Sequence, residues 1–212
     1  VYLMIYRLCK GLVYKKINKL HEELCDPELV FVVYNIILQS EKSKHFIKML
    51  EFSIATTLFY CGYYLESLRS LAQMDQISRI SPLYPDYCMM RFWNKFYLGD
   101  YQFLEAIRAE INDENFKNEL IGKKSIRVQN AMDAITAYLG GKQALSEELF
   151  ISLLNSTNNT SIKVIYQYQL ALISLKNDDV STMITRFQFV KQYANKIFVR
   201  KLAEEQLSKC NP

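Results

Sequence analysis

The apolar residues of this chain recur at intervals of three and four positions over most of its length, which is the periodicity of amphipathic helices. In the segment 46–74, an apolar stripe begins with Phe46 and Leu50 and continues to the end of a first helix. A turn follows at Gly62, and a second amphipathic helix begins directly after it. The segment therefore predicts a helical hairpin, two antiparallel helices joined by a short turn.

The same order of helix, short turn and helix recurs three times after this segment. The turns carry Gly62, Gly99, Gly141 and Asp178, which lie 37, 42 and 37 residues apart. Gly, and less often Asn or Asp, ends helices because it tolerates the left-handed backbone conformation. Hairpins repeated at intervals of this size are typical of an α-solenoid, so we predict an all-α fold of about ten helices.

The repeats divide the chain into three parts. Residues 1–45 form two helices ahead of the repeats, residues 46–193 form the repeats, and residues 194–212 form a charged helix that caps the open end of the stack. The two helices of the first part meet at Asp26-Pro27, where a residue that favours the N-cap is followed by a proline suited to the first helical position.

The first fourteen residues are apolar and aromatic, but they contain Arg7 and Lys10 and are fewer than the ~20 residues that span a bilayer. Three more lysines, Lys15, Lys16 and Lys19, follow them as basic residues follow the cytoplasmic end of a membrane helix. Two interpretations stay open: an ordinary packed first helix, or the flank of a membrane anchor upstream of residue 1. We expect a cytoplasmic location, which in the second case is the cytoplasmic side of a membrane.

Small residues occupy the predicted helix crossings of two hairpins, Ala55 with Ser67 and Ala134 with Ser146. A small side chain at a crossing lets two helix backbones approach closely. Together with the turn residues, these positions resemble the tetratricopeptide repeat family, whose motif has small residues where its two helices cross and Gly or Asp near the turn. The resemblance extends over residues 46–193.

The second hairpin departs from the family motif, because bulky Phe92 and Leu104 stand where small residues are expected. The family's usual proline at the repeat end is also missing. The resemblance implies a right-handed α-α superhelix of antiparallel hairpins and a general role in binding proteins or peptides. It carries no catalytic residues.

Composition and charge exclude several other classes of protein. The chain has 50% apolar residues, six Gly and four Pro, which excludes a disordered chain and disfavours a β-rich architecture. Its net charge of +4 is below that of a dedicated nucleic-acid binder, so we predict no specific nucleic-acid partner. The five cysteines are scattered and odd in number, which predicts neither a disulfide framework nor a zinc site and favours a reducing compartment.

The sequence contains no constellation typical of catalysis. Its two histidines, His21 and His45, lie 24 residues apart without a metal-ligand spacing. The segment Gly122-Lys123-Lys124 lacks the upstream glycines and the Ser or Thr of a phosphate-binding loop, and no Gly-x-Ser-x-Gly elbow is present. We therefore predict a protein that is not an enzyme and that uses no cofactor, metal or small-molecule substrate.

Aromatic residues are frequent, with 15 Tyr and 12 Phe beside one Trp. In a tetratricopeptide-like arrangement the first helix of each hairpin lines the concave face, where such rings suit the binding of an apolar peptide or helix. The predicted groove residues are Phe52, Thr56, Tyr60, Met89, Trp93, Tyr97, Tyr138 and Tyr168, with the polar residues Arg91, Asn94 and Gln167 for specificity. The alternative is that most of these rings fill the space between successive hairpins.

These features predict a non-catalytic scaffold or adaptor whose concave face binds a protein or peptide segment. An alternative function is the peptide-sensing part of a regulatory protein whose output module lies outside this chain. Two basic clusters, at residues 123–127 and 191–201, are interpreted as solvated helix faces, with contact to an acidic partner or a phosphate backbone as the alternative.

Overall fold

The computed structural model is all-helical in the part of the chain that it describes, so the predicted all-α fold is confirmed. The described residues are 12–13, 15–17, 19, 21–74, 77–78, 81–112 and 119–210. The first helix, α1, is described at residues 12–13, 15–17, 19 and 21–24. The later helices are α2 (Pro27–Ser40), α3 (Lys44–Tyr60), α4 (Tyr64–Gln73), α5 (Tyr84–Tyr97), α6 (Leu104–Asn112, after a 3-10 turn at Tyr101–Phe103), α7 (Glu119–Leu139), α8 (Gln143–Asn155), α9 (Thr160–Lys176), α10 (Val180–Tyr193) and α11 (Val199–Cys210).

Helix starts follow local sequence signals. The side chain of Asp26 accepts a hydrogen bond from the Leu29 N–H at the start of α2, where Pro27 occupies the first turn. The side chain of Asp179 accepts the equivalent bond from the Thr182 N–H at the start of α10. Each bond satisfies a backbone donor that has no partner inside the helix.

Successive helices pack as hairpins, and each hairpin packs against the next one along the chain. The four predicted turns each place one residue in the left-handed conformation, with φ of 85° at Gly62, 74° at Gly99, 76° at Gly141 and 58° at Asp178. Cys25, between α1 and α2, also has a positive φ of 49° and precedes Gly62 by 37 residues. The structure therefore adds a hairpin, α1 with α2, to the four that the sequence predicts.

The predicted close crossings are confirmed in two hairpins. Ser67 Oγ donates a hydrogen bond of 2.7 Å to the backbone carbonyl of Ala55, and Ser146 Oγ donates one of the same length to the carbonyl of Ala134. All four residues are buried. Because the hydroxyl of one helix reaches the backbone of the other, the small side chains allow direct contact between the helix backbones.

The C-terminal part of the chain returns to its beginning. The backbone N–H of Lys196 donates to the carbonyl of Cys25 over 3.1 Å, and that of Phe198 donates to the carbonyl of Tyr60 over 3.0 Å. The segment 194–198, which links α10 to α11, therefore contacts the turns of the first two hairpins. The capping role of the last helix stays a prediction.

Helix α1 also meets the last hairpin. Ser161 Oγ, at the start of α9, donates a hydrogen bond of 2.7 Å to the carbonyl of His21 in α1. The His21 ring in turn packs edge-on against Tyr60 of α3, with ring centroids 4.7 Å apart. The first helices of the hairpins thus surround a central space.

None of the described helices combines the length and apolar character needed to cross a membrane. Residues 1–11, which belong to the predicted membrane flank or first helix, lie outside the described part of the chain. Residues 113–118, between α6 and α7, lie outside it as well.

Candidate functional site

The central space contains a cavity of about 380 Å³. The first helix of each described hairpin contributes to its wall, since α1, α3, α5, α7 and the start of α9 all line it. The wall is mostly apolar and aromatic, with Phe52, Phe59, Tyr60, Met89, Met90, Trp93, Val128, Ile162, Ile165 and Tyr166.

Helical spacing brings these side chains to the cavity. Phe52, Thr56 and Phe59 are four and three residues apart on α3, and Met89 and Trp93 are four apart on α5, so each set lies on one face of its helix. The Thr56 hydroxyl donates to the Phe52 carbonyl within the helix, over 2.9 Å, and so leaves no unpaired donor towards the cavity.

His21 is the unusual polar group of the wall. Both of its ring nitrogens are buried and have no hydrogen-bond partner among the described residues. Burial lowers the pKa of His21 to about 4, so the imidazole is neutral at pH 7, with one nitrogen able to donate and the other able to accept. A bound group with a hydroxyl or an amide would satisfy at least one of these nitrogens.

Charged groups lie around the same cavity. Lys124 pairs with Asp86, and its Nζ also donates to the Pro82 carbonyl over 3.1 Å. Arg127 and Glu22 are exposed and make no ion pair within the described part of the chain. The lining charges are therefore two of each sign, which suits a ligand without a strong net charge.

The tyrosines of the wall serve as neutral polar groups. Burial raises the pKa of Tyr166 to about 12 and raises that of Tyr60 further above its ordinary value. Neither phenol ionises near pH 7, so each provides a hydroxyl rather than a base.

Five of the predicted groove residues come together at this cavity: Phe52, Thr56, Tyr60, Met89 and Trp93. All five belong to α3 and α5, the first helices of the two hairpins nearest the start of the predicted repeats. The structure thus brings these five side chains together, and their role in binding stays a prediction.

Two predicted polar residues lie elsewhere. The Arg91 guanidinium forms an ion pair of 2.7 Å with Glu110 of α6. The fully buried Asn94 donates to Ser67 Oγ over 2.9 Å and to the Met90 carbonyl over 2.7 Å, so it links α5 to α4. Both side chains hold hairpins together rather than face the cavity.

Tyr97 and Tyr168 also lie outside the cavity wall. Tyr97 accepts a hydrogen bond of 2.8 Å from Gln169 and stacks on Tyr64, with ring centroids 5.3 Å apart. Tyr168 packs against Phe187 of α10, with ring centroids 5.7 Å apart. For these rings, packing between helices replaces the predicted place in a groove.

The last two predicted groove residues, Tyr138 and Gln167, have partners on neighbouring helices. The Lys176 ammonium lies 3.8 Å from the centroid of the Tyr138 ring. The Gln167 side-chain oxygen accepts a hydrogen bond of 3.5 Å from Arg186. Neither lines the cavity.

The predicted groove does not include the cavity residues of α1 and α9, above all His21, Ile162, Ile165 and Tyr166. For α1 the sequence carries a signal, because Cys25 lies at the repeat interval before Gly62. Cysteine is not a usual residue of a left-handed turn, so the residue type does not indicate a turn there. No group of His, Cys, Asp or Glu that could hold a metal ion occurs among the described residues.

Compared with protein-family models, with curated proteins and with solved structures, the chain shows no significant match in any of the three.

Proposed function

We propose that this chain is a non-catalytic adaptor that binds a protein or peptide, whose apolar side chains enter the central cavity. The observation that supports this most strongly is the cavity wall, which draws aromatic and apolar residues from the first helix of each described hairpin. The cavity volume of about 380 Å³ lies within the range of about 300–1,000 Å³ that is usual for ligand pockets. That space suits one or a few side chains of a peptide rather than a whole helix.

We also propose that the hairpins form a short right-handed superhelix of the tetratricopeptide type, with the cavity on its inner wall. Three features favour this arrangement: the regular interval between turns, the left-handed residue at each turn, and the serine-to-carbonyl contacts at two crossings. An experimental structure of the chain tests the handedness directly.

The wall suits a mixed apolar and hydrogen-bonding ligand. Met89, Met90 and Trp93 provide adaptable and polarisable contact area, which favours apolar side chains of varied shape. His21 and Tyr60 provide neutral polar groups, which would select a peptide that also carries a hydroxyl or an amide at the right position.

The proposal is tested with a random peptide library displayed on phage and selected against the immobilised chain. A Thr56→Trp variant fills the cavity, whereas Thr185→Trp adds the same side chain at an exposed site on α10. The two threonines are matched, because each hydroxyl bonds only to the carbonyl four residues earlier in its own helix. Circular dichroism establishes that both variants are folded.

We expect selected peptides rich in apolar residues that bind the wild type and Thr185→Trp equally, and Thr56→Trp at least about tenfold more weakly. Emission from Trp93, the single tryptophan of the wild type, should shift when such a peptide binds. Selected peptides that bind Thr56→Trp as tightly as the wild type would rule out the cavity as the binding site. A library that yields no binder would count against the function itself.

A further inference from the structure

Helix α2 presents an apolar stripe to solvent. Leu29, Val32 and Ile36 have exposed fractions of 47%, 53% and 62%, and their spacing of three and four residues places them on one side of the helix. We call these three residues the α2 outer face. The opposite side of α2 is buried through Val30 and Tyr34, so the helix is apolar on both sides.

The corresponding side of α4 has a different character. Counted 37 positions further along, which is the interval between the two hairpin turns, the residues equivalent to the α2 outer face are Glu66, Arg69 and Gln73. All three are exposed. The position in the repeat therefore does not require apolar residues.

More apolar surface and a cluster of positive charge lie at the end of the α1–α2 hairpin that is away from the Cys25 turn. Because α1 and α2 run antiparallel from the turn at Cys25, the exposed Leu12 and Val13 of α1 lie at the end where α2 finishes. The loop from α2 to α3 begins at the same end and carries the exposed Lys42, and the exposed Lys44 begins α3 directly after it.

Four exposed lysines lie at this end of the hairpin. Lys15, Lys16, Lys42 and Lys44 are exposed and form no ion pair within the described residues. The exposed acids of the hairpin are found at its other end, beside the Cys25 turn: Glu22, Glu23 and Glu28. The half-buried Glu41 lies at the end with the lysines, where its carboxylate accepts the backbone N–H groups of Lys42 and Ser43. This end has more exposed lysines than acids and lies next to uncovered apolar side chains.

We propose that the α2 outer face and the lysines at its end dock onto an anionic lipid surface. Aliphatic side chains that enter the headgroup boundary, flanked by lysines that meet acidic headgroups, are the two components of interfacial membrane binding. A lipid surface fits better than a protein partner, because lysine is depleted from protein–protein interfaces. This surface is separate from the central cavity, so the proposal does not depend on the proposed function.

The experiment is co-sedimentation of the whole chain with two kinds of vesicle, phosphatidylcholine alone and phosphatidylcholine mixed with phosphatidylserine. We expect the chain to sediment with the mixed vesicles and not with phosphatidylcholine alone. Added salt should weaken the binding, because it screens the attraction between lysines and headgroups.

Two double variants with matched controls locate the surface. Val32→Glu with Ile36→Glu should weaken vesicle binding at least about tenfold, because it places charge where apolar contact is needed. Its control is Val180→Glu with Ile126→Glu, which changes the same residue types at exposed fractions of 52% and 58% elsewhere on the molecule. The control should bind like the wild type.

Lys42→Glu with Lys44→Glu should likewise weaken binding at least about tenfold, since each lysine near an anionic surface contributes a several-fold gain in affinity. Its control is Lys191→Glu with Lys201→Glu, two exposed lysines near the C-terminus. Lys44 begins α3, where a glutamate is favourable to the helix, so the variant should stay folded.

Three outcomes would overturn the proposal. In the first, the folded wild type does not sediment with phosphatidylserine vesicles. In the second, the control variants lose binding as strongly as the variants of the surface. In the third, gel filtration shows a wild-type dimer that Val32→Glu with Ile36→Glu converts to a monomer, which would assign the surface to a second copy of the chain.

Discussion

At the scale of single residues, the cavity depends on an imidazole that is kept neutral by burial. His21 contacts Tyr60 through its ring, while its backbone carbonyl accepts a hydrogen bond from Ser161. The side chain can therefore change its protonation state without direct loss of that backbone contact. The free energy of burying a positive charge there is unfavourable, which is why burial lowers the pKa of His21.

This pKa predicts how stability depends on pH. The folded pKa of His21 is about 4 and the ordinary value is 6.5, so between these values the unfolded chain binds more protons than the folded one. The contribution of His21 to stability is therefore complete above pH 6.5 and is lost as the pH falls towards 4. From pH 7 to pH 5 we expect a decrease of about 1 to 2 kcal/mol in the free energy of unfolding.

Urea denaturation at the two pH values, followed by circular dichroism, measures this decrease in the wild type and in His21→Asn. The variant should lose most of this pH dependence, whereas His45→Asn, at an exposed site on α3, should keep it. An unchanged pH dependence in His21→Asn would assign the effect to other groups.

At the scale of elements, the hairpin turns set the directions of successive helices. At each of the turns after α3, α5, α7 and α9, the N–H of the residue after the left-handed one donates to a carbonyl five residues earlier, as from Tyr63 to Leu58 and from Asp179 to Ser174. This bond closes the end of the first helix, and the second helix starts directly afterwards. The turn after α3 has an additional contact, because Phe198 lies against it.

Substitutions at Gly62 and Gly99 distinguish two costs to the free energy of unfolding, strain in a left-handed turn and a clash with Phe198. An alanine at either Gly62 or Gly99 would strain a left-handed residue, at a cost of roughly 1 to 2 kcal/mol. At Gly62 the new methyl group would also lie 3.1 Å from Phe198 Cβ, whereas at Gly99 nothing lies within 4 Å. We therefore expect Gly62→Ala to lower the free energy of unfolding by roughly 1 kcal/mol more than Gly99→Ala does.

Urea denaturation of both variants measures the difference. Adding Phe198→Gly to each, which removes the Cβ that the new methyl group would meet, should abolish the extra cost at Gly62 and leave the cost at Gly99 unchanged, as a double-mutant cycle would report. Equal costs for the two glycine variants would mean that Phe198 moves aside freely.

At the scale of the whole molecule, the last segment and the first hairpins form one continuous packed unit. Phe198 lies among the rings of Phe59, Tyr64 and Tyr97, with centroid distances of 5.5, 5.3 and 4.8 Å. In a linear array of repeats each unit stabilises only its neighbours. Here α3 and α4 are stabilised by a residue far along the chain.

The packing of Phe198 against α3 and α4 predicts that one substitution near the end of the chain acts on helices near its beginning. Phe198→Ala should reduce the protection of backbone amides against hydrogen exchange in α3 and α4 as well as in α11, because the shared aromatic cluster is lost. The control is Phe189→Ala, which removes a ring packed against Tyr193 on α10, the helix before Phe198, and leaves the cluster around Phe198 intact. Exchange measured by mass spectrometry should show its effect near α10. If both variants change exchange only in α10 and α11, Phe198 does not stabilise α3 and α4.

The fold and the site differ in how much local sequence reveals. Apolar periodicity and residues that tolerate positive φ are local properties, so the sequence alone determined the hairpins after residue 46 and their turns at Gly62, Gly99 and Gly141. The crossing of Ala55 and Ser67 followed in the same way, because both positions are counted from the turn between them.

Tertiary structure alone decided which inward-facing residues share a cavity and which are buried between helices. Trp93 and Tyr97 are one helical turn apart with the same periodicity, yet only Trp93 lines the cavity, because the segment 194–198 brings Phe198 onto the Tyr97 ring. That segment is held by contacts such as the hydrogen bond from the Asn195 side chain to the Leu24 carbonyl. These two residues are 171 positions apart in the sequence. A contact between distant residues leaves no periodic trace in the sequence, since it depends on the summed geometry of each hairpin between them.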